Sequence, residues 1–402
     1  MHWTQRLSPL QFVRDFSLTA FVAGFVATLV GFTSSVAIIF RAAQGFGATP
    51  AEITSWIWAV CLGCAVCSIL PSLWLRKPVM IAWSTPGAVV LATAAASGQF
   101  TMPEAVGAFM VSSALITVCG FTGWFERVMN RIPLSVAAAL LAGVLARFSM
   151  QAFAAAGSAP VLVIGMLLAY LLGKRLSPRY AVVWTLAVGV VLVALGGHLS
   201  LHDLHADWAH PVFTAPVFSM AAITSLALPL FVVTMASQNL PGVAAFRAAG
   251  YELPTSVLVT VTGMVGLALA PLGCYAINFS AITASICMGD EAHPDPDRRY
   301  VAAVVWGLWM LLIGLFGTVV TGLLMAFPHE FIAAIAGLAL LSTIASSLVT
   351  ALDVARHRDV AVITFLVTLS GVEVAGVGSA FWGVVAGVVA LLVQDYMPRR
   401  RI

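Results

Sequence analysis

Pro78-Val79-Met80-Ile81-Ala82-Trp83-Ser84-Thr85-Pro86-Gly87-Ala88-Val89-Val90 sits inside a long apolar run, yet it does not read as one helix. Pro86 has no N–H to donate, and its ring clashes with the turn before it. The residue preceding a proline is pushed away from helical angles, which sets Thr85 apart. The stretch therefore predicts a half-helix starting mid-membrane, with Thr85 or Ser84 as N-cap and Pro86 at the first helical position. The residues before it are expected to be extended. Extended backbone at membrane depth is tolerated only inside protein or beside a wet cavity.

The surrounding composition agrees with a lipid solvent. Of 402 residues, 61% are hydrophobic and 9% are charged, against roughly 25% charged in soluble domains. The 19 basic and 16 acidic side chains are too few to cover one large soluble core. A net charge of +3 is too small to suggest a nucleic-acid partner. A spanning helix needs about 20 apolar residues, and the pattern yields about fourteen spans, some short or broken. They lie near 16–38, 53–74, 79–97, 104–123, 133–150, 159–173, 180–197, 219–240, 254–271, 273–288, 299–325, 329–350, 360–371 and 375–394. The first span lacks a signal-peptide cleavage pattern and reads as retained.

With the N-terminus inside, every basic residue except Arg41 and Arg147 falls on the inner side, which predicts a multi-pass inner-membrane protein with both termini cytoplasmic. Echoes between the halves predict a duplication. Phe40-Arg41-Ala42-Ala43 precedes span 2 and Phe246-Arg247-Ala248-Ala249 precedes span 9; Pro103 opens span 4 and Pro296 lies before span 11. Ile132-Pro133 leads into Ala139-Leu140-Leu141-Ala142-Gly143, and Phe327-Pro328 into Ala333-Ala334-Ile335-Ala336-Gly337. Seven spans per unit make the repeats inverted, the plan of many secondary transporters, which hold substrate at broken helices near the midplane. The expected fold class is thus all-α and polytopic, with two inverted seven-span repeats and spans 3 and 10 broken.

Span 10 matches span 3 in the second repeat: Gly273-Cys274-Tyr275-Ala276-Ile277-Asn278-Phe279-Ser280-Ala281-Ile282-Thr283-Ala284. Asn278 or Ser280 is expected to cap a half-helix running to Cys287. Inversion points the two half-helix N-termini at each other, and their unpaired N–H groups suit a carboxylate or other anion. A third polar cluster, Ser237-Gln238-Asn239-Leu240-Pro241-Gly242, closes span 8. An amide pair in apolar sequence is costly without polar partners, so Gln238 and Asn239 either contact substrate or tie span 8 to a broken span.

These motifs resemble the benzoate/proton symporter (BenE) family. The matching stretches are Trp83-Ser84-Thr85-Pro86-Gly87, Thr234 to Gly242, Ala281-Ile282-Thr283-Ala284-Ser285-Ile286-Cys287, Glu291-Ala292-His293-Pro294-Asp295 and Gly378-Ser379-Ala380-Phe381-Trp382-Gly383. The resemblance covers essentially the whole chain and implies a fold like that of the uracil and other nucleobase transporters. Spans 1–4 (residues 1–130) and 8–11 (211–326) then form a core, and spans 5–7 (131–200) and 12–14 (327–402) a gate. Substrate sits between spans 3, 8 and 10. The resemblance also implies inward movement of benzoate coupled to protons, and it allows a homodimer. Nucleobase transporters of this fold use glutamates on spans 8 and 10, where this chain has Gln238 with Asn239 and Asn278 with Ser280. An anionic substrate explains that departure, since glutamate repels a carboxylate; the proton carrier stays unidentified.

The reading is therefore a proton-driven importer of benzoate or a related aromatic carboxylate, not an enzyme, with no cofactor or metal. Ser84, Thr85, Pro86 and Gly87 with Ser280 and Ala281 face the carboxylate; Gln238, Asn239 and Asn278 give directed hydrogen bonds; Phe279 receives the ring. A nucleobase or inorganic-anion transporter of this fold, or a passive anion channel, is the alternative. Other polar residues read as structural. Glu52 and Glu104 fit capping boxes, Glu252 and Glu373 solvated turns, and Arg147 a side chain snorkelling to the outer surface. Cys61, Cys64 and Cys67 read as helix packing. His198, His202, His205 and His210 with Asp203 and Asp207 read as an exposed loop.

Overall fold

The computed structural model describes residues 9–33, 35–95, 98–196, 208–325, 327–372, 374 and 379–396. The first part of the chain contributes α1 (Leu18–Thr33), α2 (Pro50–Leu75), β1 (Ile81–Trp83), α3 (Thr85–Ala95) and α4 (Met102–Phe121). Then come α5 (Leu134–Ala154), α6 (Pro160–Leu176) and α7 (Ala181–Leu195). The second part contributes α8 (Met220–Ala248), α9 (Thr255–Leu269), β2 (Ile277–Phe279), α10 (Ile282–Met288) and α11 (Tyr300–Met325). It ends with α12 (His329–Ala339), α13 (Leu341–Leu352), α14 (Arg358–Ser370) and α15 (Ser379–Tyr396).

The capping boxes are present. The Glu52 N–H donates to Thr49 Oγ1 at 3.3 Å while the Thr49 N–H donates to the Glu52 carboxylate at 2.8 Å. At α4, Glu104 accepts from the Thr101 N–H at 3.0 Å. Among the described residues, seven helices are long and apolar enough to cross a bilayer by length and composition, and three more are apolar but shorter. Glu373, Gly378 and the loop histidines other than His210 lie outside the described residues.

Both broken spans contain a strand followed by a short helix. The strands pair antiparallel, with Ile81 opposite Phe279, Ala82 opposite Asn278 and Trp83 opposite Ile277. The ribbon is extended one residue each way, Ser84 N–H donating to the Ala276 carbonyl and Ser280 N–H to that of Met80, both at 3.1 Å.

A ribbon buried in apolar surroundings must satisfy its outer edges as well. On the β1 side, helix α2 does this with two serines. Ser72 Oγ accepts from the Val79 N–H at 3.0 Å and donates to its carbonyl at 3.1 Å; Ser68 Oγ does the same for Ile81 at 3.0 and 3.3 Å. The spacing works because four helical residues rise about 6 Å and two strand residues about 6.6 Å. On the β2 side, Asn239 Oδ1 accepts from the Phe279 N–H at 2.9 Å. That approach depends on Gly242, where a Cβ would come within 2.5 Å of the Phe279 Cβ.

Three expectations about helix ends are corrected. Asn278 lies within β2, and α10 begins at Ile282 with no side-chain cap, so neither Asn278 nor Ser280 caps it. Strand pairing claims the Asn278 backbone, and Ser280 Oγ instead meets Thr283 Oγ1 at 2.6 Å. Pro86 takes the second helical position, because α3 starts at Thr85 and Ser84 Oγ accepts from the Gly87 N–H at 3.1 Å. Span 8 does not close at Pro241-Gly242 either. α8 runs on to Ala248 through wider, π-type turns at 223–227 and 235–239. A wide turn just before Pro241 accommodates a residue that cannot donate to the preceding turn.

Packing groups the helices into two sets. α2 runs along α11 and α4 along α9, with the ribbon against α2. α5 packs against α12, α13 and α14, α14 against α15, and α6 against α7. The α8 segment 240–248 lies against α5 and so bridges the sets.

Candidate functional site

A cavity of about 470 Å³ opens where the broken spans face the second set of helices. Five of the ten residues singled out from sequence line it: Thr85, Pro86, Gln238, Ser280 and Ala281. The other five stand behind it. Gly87 and Ser84 are buried, Ser84 taking hydrogen bonds from the Gly87 N–H and from Thr234 Oγ1 at 3.2 Å. Asn239 is fully buried against β2. Phe279 is fully buried with its ring edge-on to Phe246, centroids 5.6 Å apart, and does not face the cavity. Asn278 is also buried, and its amide reaches Gln238.

That last contact orients the site. Asn278 Nδ2 donates to the Phe279 carbonyl at 2.8 Å and to Gln238 Oε1 at 3.4 Å. With its oxygen turned to Asn278, Gln238 offers its NH₂ group to the cavity, a donor for an anionic oxygen. Asn278 Oδ1 is buried and has no hydrogen-bond partner. At the start of α3, Pro86 has no N–H and Ser84 occupies that of Gly87. The Thr85 N–H and hydroxyl are then what this helix end presents. Across from it stand the hydroxyls of Ser280 and Thr283.

The remaining lining was not anticipated from sequence. Val30, Trp306, Ile282 and Ile332 give it apolar walls, and Trp306 Nε1 donates to the Ile81 carbonyl at 3.2 Å, holding the ring in place. α5 contributes Val144, Arg147 and Gln151, and α12 contributes His329. Among the described residues no carboxylate lines the cavity, and Arg147 is the one permanent charge there. Arg147, read from the sequence as snorkelling to the outer surface, is exposed and lines this cavity.

A second cavity of about 470 Å³ is lined by Glu126, Arg247, Glu252 and Tyr251. Its charged groups already hold the chain together, Arg247 donating to the Met129 carbonyl and Glu126 accepting from the Ser256 N–H at 3.0 Å. The ribbon cavity, with unspent donors and apolar walls, is the better fit to a small organic anion.

The chain is similar to several known proteins. The family model "Benzoate membrane transport protein" (BenE) matches residues 14–393. The chain is 48% identical over 379 residues to the inner membrane protein YdcO of Escherichia coli (strain K12), covering 94% of this chain and 96% of that protein. It is 38% identical over 380 residues, with the same two coverages, to the benzoate membrane transport protein of Acinetobacter baylyi (strain ATCC 33305 / BD413 / ADP1). Among solved structures, the transmembrane domain of a cyanobacterial bicarbonate transporter, BicA, aligns over 94% of this chain and 97% of that one. Its TM-score is 0.45 and its identity 14%.

Proposed function

The chain belongs to the benzoate membrane transport protein (BenE) family of membrane transporters, and from that premise we propose that it imports benzoate or a related aromatic carboxylate by proton symport across the inner membrane. The observation that carries this reading is the ribbon cavity, whose described lining combines hydrogen-bond donors, apolar walls and no carboxylate. The Gln238 NH₂, the Thr85 N–H and hydroxyl, and the one hydroxyl proton that the Ser280–Thr283 bond leaves over converge on the carboxylate. Ile332, Val30 and Trp306 take the ring. Ser84, Gly87, Asn239, Asn278 and Phe279 shape that arrangement from behind.

The architecture proposed for it is two inverted repeats of seven spans, both termini cytoplasmic, with the broken spans matching in the two halves. The helix set around the ribbon acts as core and the set around α5 as gate, and transport moves the loaded ribbon past the gate. Support comes from the paired strand-then-helix breaks and from the packing of each set within itself.

Labelled benzoate uptake into proteoliposomes, with and without an inward proton gradient, tests the proposal. Saturable uptake that the gradient accelerates, and that Gln238→Ala and Pro86→Ala impair, is the expected result. A folded protein that takes up no benzoate, or whose uptake ignores the gradient, refutes the substrate or the coupling respectively. A competitor panel of nucleobases and inorganic anions identifies the cargo in the first case.

A further inference from the structure

We propose that Arg147 is the residue that captures the carboxylate as it enters, a fixed counter-charge on the gate side of the cavity. The proposal deepens the substrate reading above and rests on it. Arg147 projects from α5 into the cavity wall, one helical turn before Gln151, which lines the same wall. Among the described residues it makes no hydrogen bond or ion pair. Arg147 is exposed and lines the cavity, whose described lining offers it no carboxylate, so its guanidinium is available to an incoming anion.

The way it is held points the same way. Gly371 ends α14 with φ of +70°, and a Cβ built on it would fall 2.6 and 2.7 Å from Arg147 Nη1 and Nη2 and closer still to Cζ. Near-equal distances to these atoms place the guanidinium face flat on the glycine backbone. The negative end of the α14 dipole steadies the charge there. Stacking by its face leaves the planar rim of N–H donors to a ligand, and that fork matches a carboxylate's two oxygens.

Location distinguishes capture from carriage. The Gln238 and Thr85 donors belong to the ribbon side, whereas Arg147 belongs to a helix packed against α12, α13 and α14. When the two sets move relative to one another, the anion leaves Arg147 but stays with Gln238. Arg147 therefore acts on binding from the side to which this cavity opens, and much less on binding from the other.

The test is benzoate transport measured in right-side-out and inverted membrane vesicles of the full chain, for wild type, Arg147→Gln, Arg147→Lys and Gly371→Ala. Arg147→Gln is expected to raise KM about 10-fold from the cavity side, the scale of one charge-assisted hydrogen bond, with little change from the opposite side. Raising ionic strength raises the wild-type KM from that side and leaves the variant flat. Arg147→Lys keeps the charge and regains part of the loss; Gly371→Ala keeps the charge but displaces it and behaves like Arg147→Gln. Wild type that ignores benzoate overturns the substrate reading together with this inference. Transport by wild type with an unchanged or symmetrically changed KM in Arg147→Gln overturns this inference alone. If Arg147→Gln fails to fold, the salt dependence of wild type and the Arg147→Lys KM decide the matter.

Discussion

Gln238 illustrates how one side chain acquires a direction. An amide can face its substrate with either end, and the end is chosen here by Asn278, whose Nδ2 faces Gln238 Oε1. Replacing Asn278 by Ala removes that choice, so Gln238 can turn its oxygen toward an incoming carboxylate. Asn278→Ala is expected to raise the KM for benzoate about 3- to 10-fold, the scale of about one net hydrogen bond, while leaving a folded protein by size-exclusion profile. An unchanged KM would show that Gln238 is oriented by something else. Asn239, its neighbour in sequence, has a different task. Asn239→Ala leaves the fully buried Phe279 N–H without its acceptor, a loss of about 1–3 kcal/mol, read as a lower unfolding temperature of the purified protein. The sequence marked both amides as costly in an apolar run and left open whether they bind substrate or tie span 8 to a broken span. Adjacent helical residues point about 100° apart, so the pair does both, and which residue does which depends on the helix's rotation about its axis. The widened turn at 235–239 alters that rotation, and no periodicity in the sequence announces it.

At the scale of elements, the problem is how extended backbone survives among apolar helices. α2 solves it on one edge with Ser68 and Ser72, each giving and taking a hydrogen bond with one strand residue. The double variant Ser68→Ala/Ser72→Ala strips four hydrogen bonds from β1. It is expected to cost several kcal/mol, about 1–3 for each buried strand N–H left without a partner. Thermal unfolding in detergent measures this, and a loss no larger than that of an exposed control such as Ser158→Ala would mean water or rearrangement replaces the serines. The break in span 3 was legible in the sequence because Pro86 forbids a continuous helix, and the capping boxes at Glu52 and Glu104 were legible because they are local. The ribbon was not. Pairing Ile81 with Phe279 joins residues 198 positions apart (279 − 81), and the two serines that make it affordable look like ordinary small residues in a helix. The expected cap at Asn278 failed for the same reason: a long-range strand partner outbid a short-range turn. That Arg147 lines the cavity was not legible either, because which helix face meets the ribbon is decided by tertiary packing.

For the molecule as a whole, the two helix sets must be able to separate and re-engage if the ribbon is to carry its cargo. Among the described residues one ion pair spans them. Lys174, in the last turn of α6, donates to Glu291 Oε1 at 2.8 Å, and Glu291 sits in the loop that follows α10. The Glu291 side chain is 6% exposed and that of Lys174 35%, so the carboxylate bears most of the desolvation and depends on its partner. Glu291 follows the ribbon-side helix α10, while Lys174 belongs to the set that contains no part of the ribbon. If, as proposed, one set moves past the other, this contact must break, and it is then expected to act as a brake on leaving the present conformation. Lys174→Gln should then leave Glu291 buried without its cation and destabilise the conformation described here relative to the one in which the sets have shifted. The consequence for uptake is a lower apparent affinity from the cavity side, because fewer molecules face that way. A charge swap separates this from simple damage: Lys174→Glu and Glu291→Lys each impair transport, and the double variant recovers more than the sum of the single losses allows. The coupling is expected to be modest, about 1 kcal/mol, since Lys174 is partly exposed and water screens its side of the pair. Strict additivity in that cycle would mean that the pair is a bystander and that the balance between conformations is set elsewhere along the interface of α8 with α5.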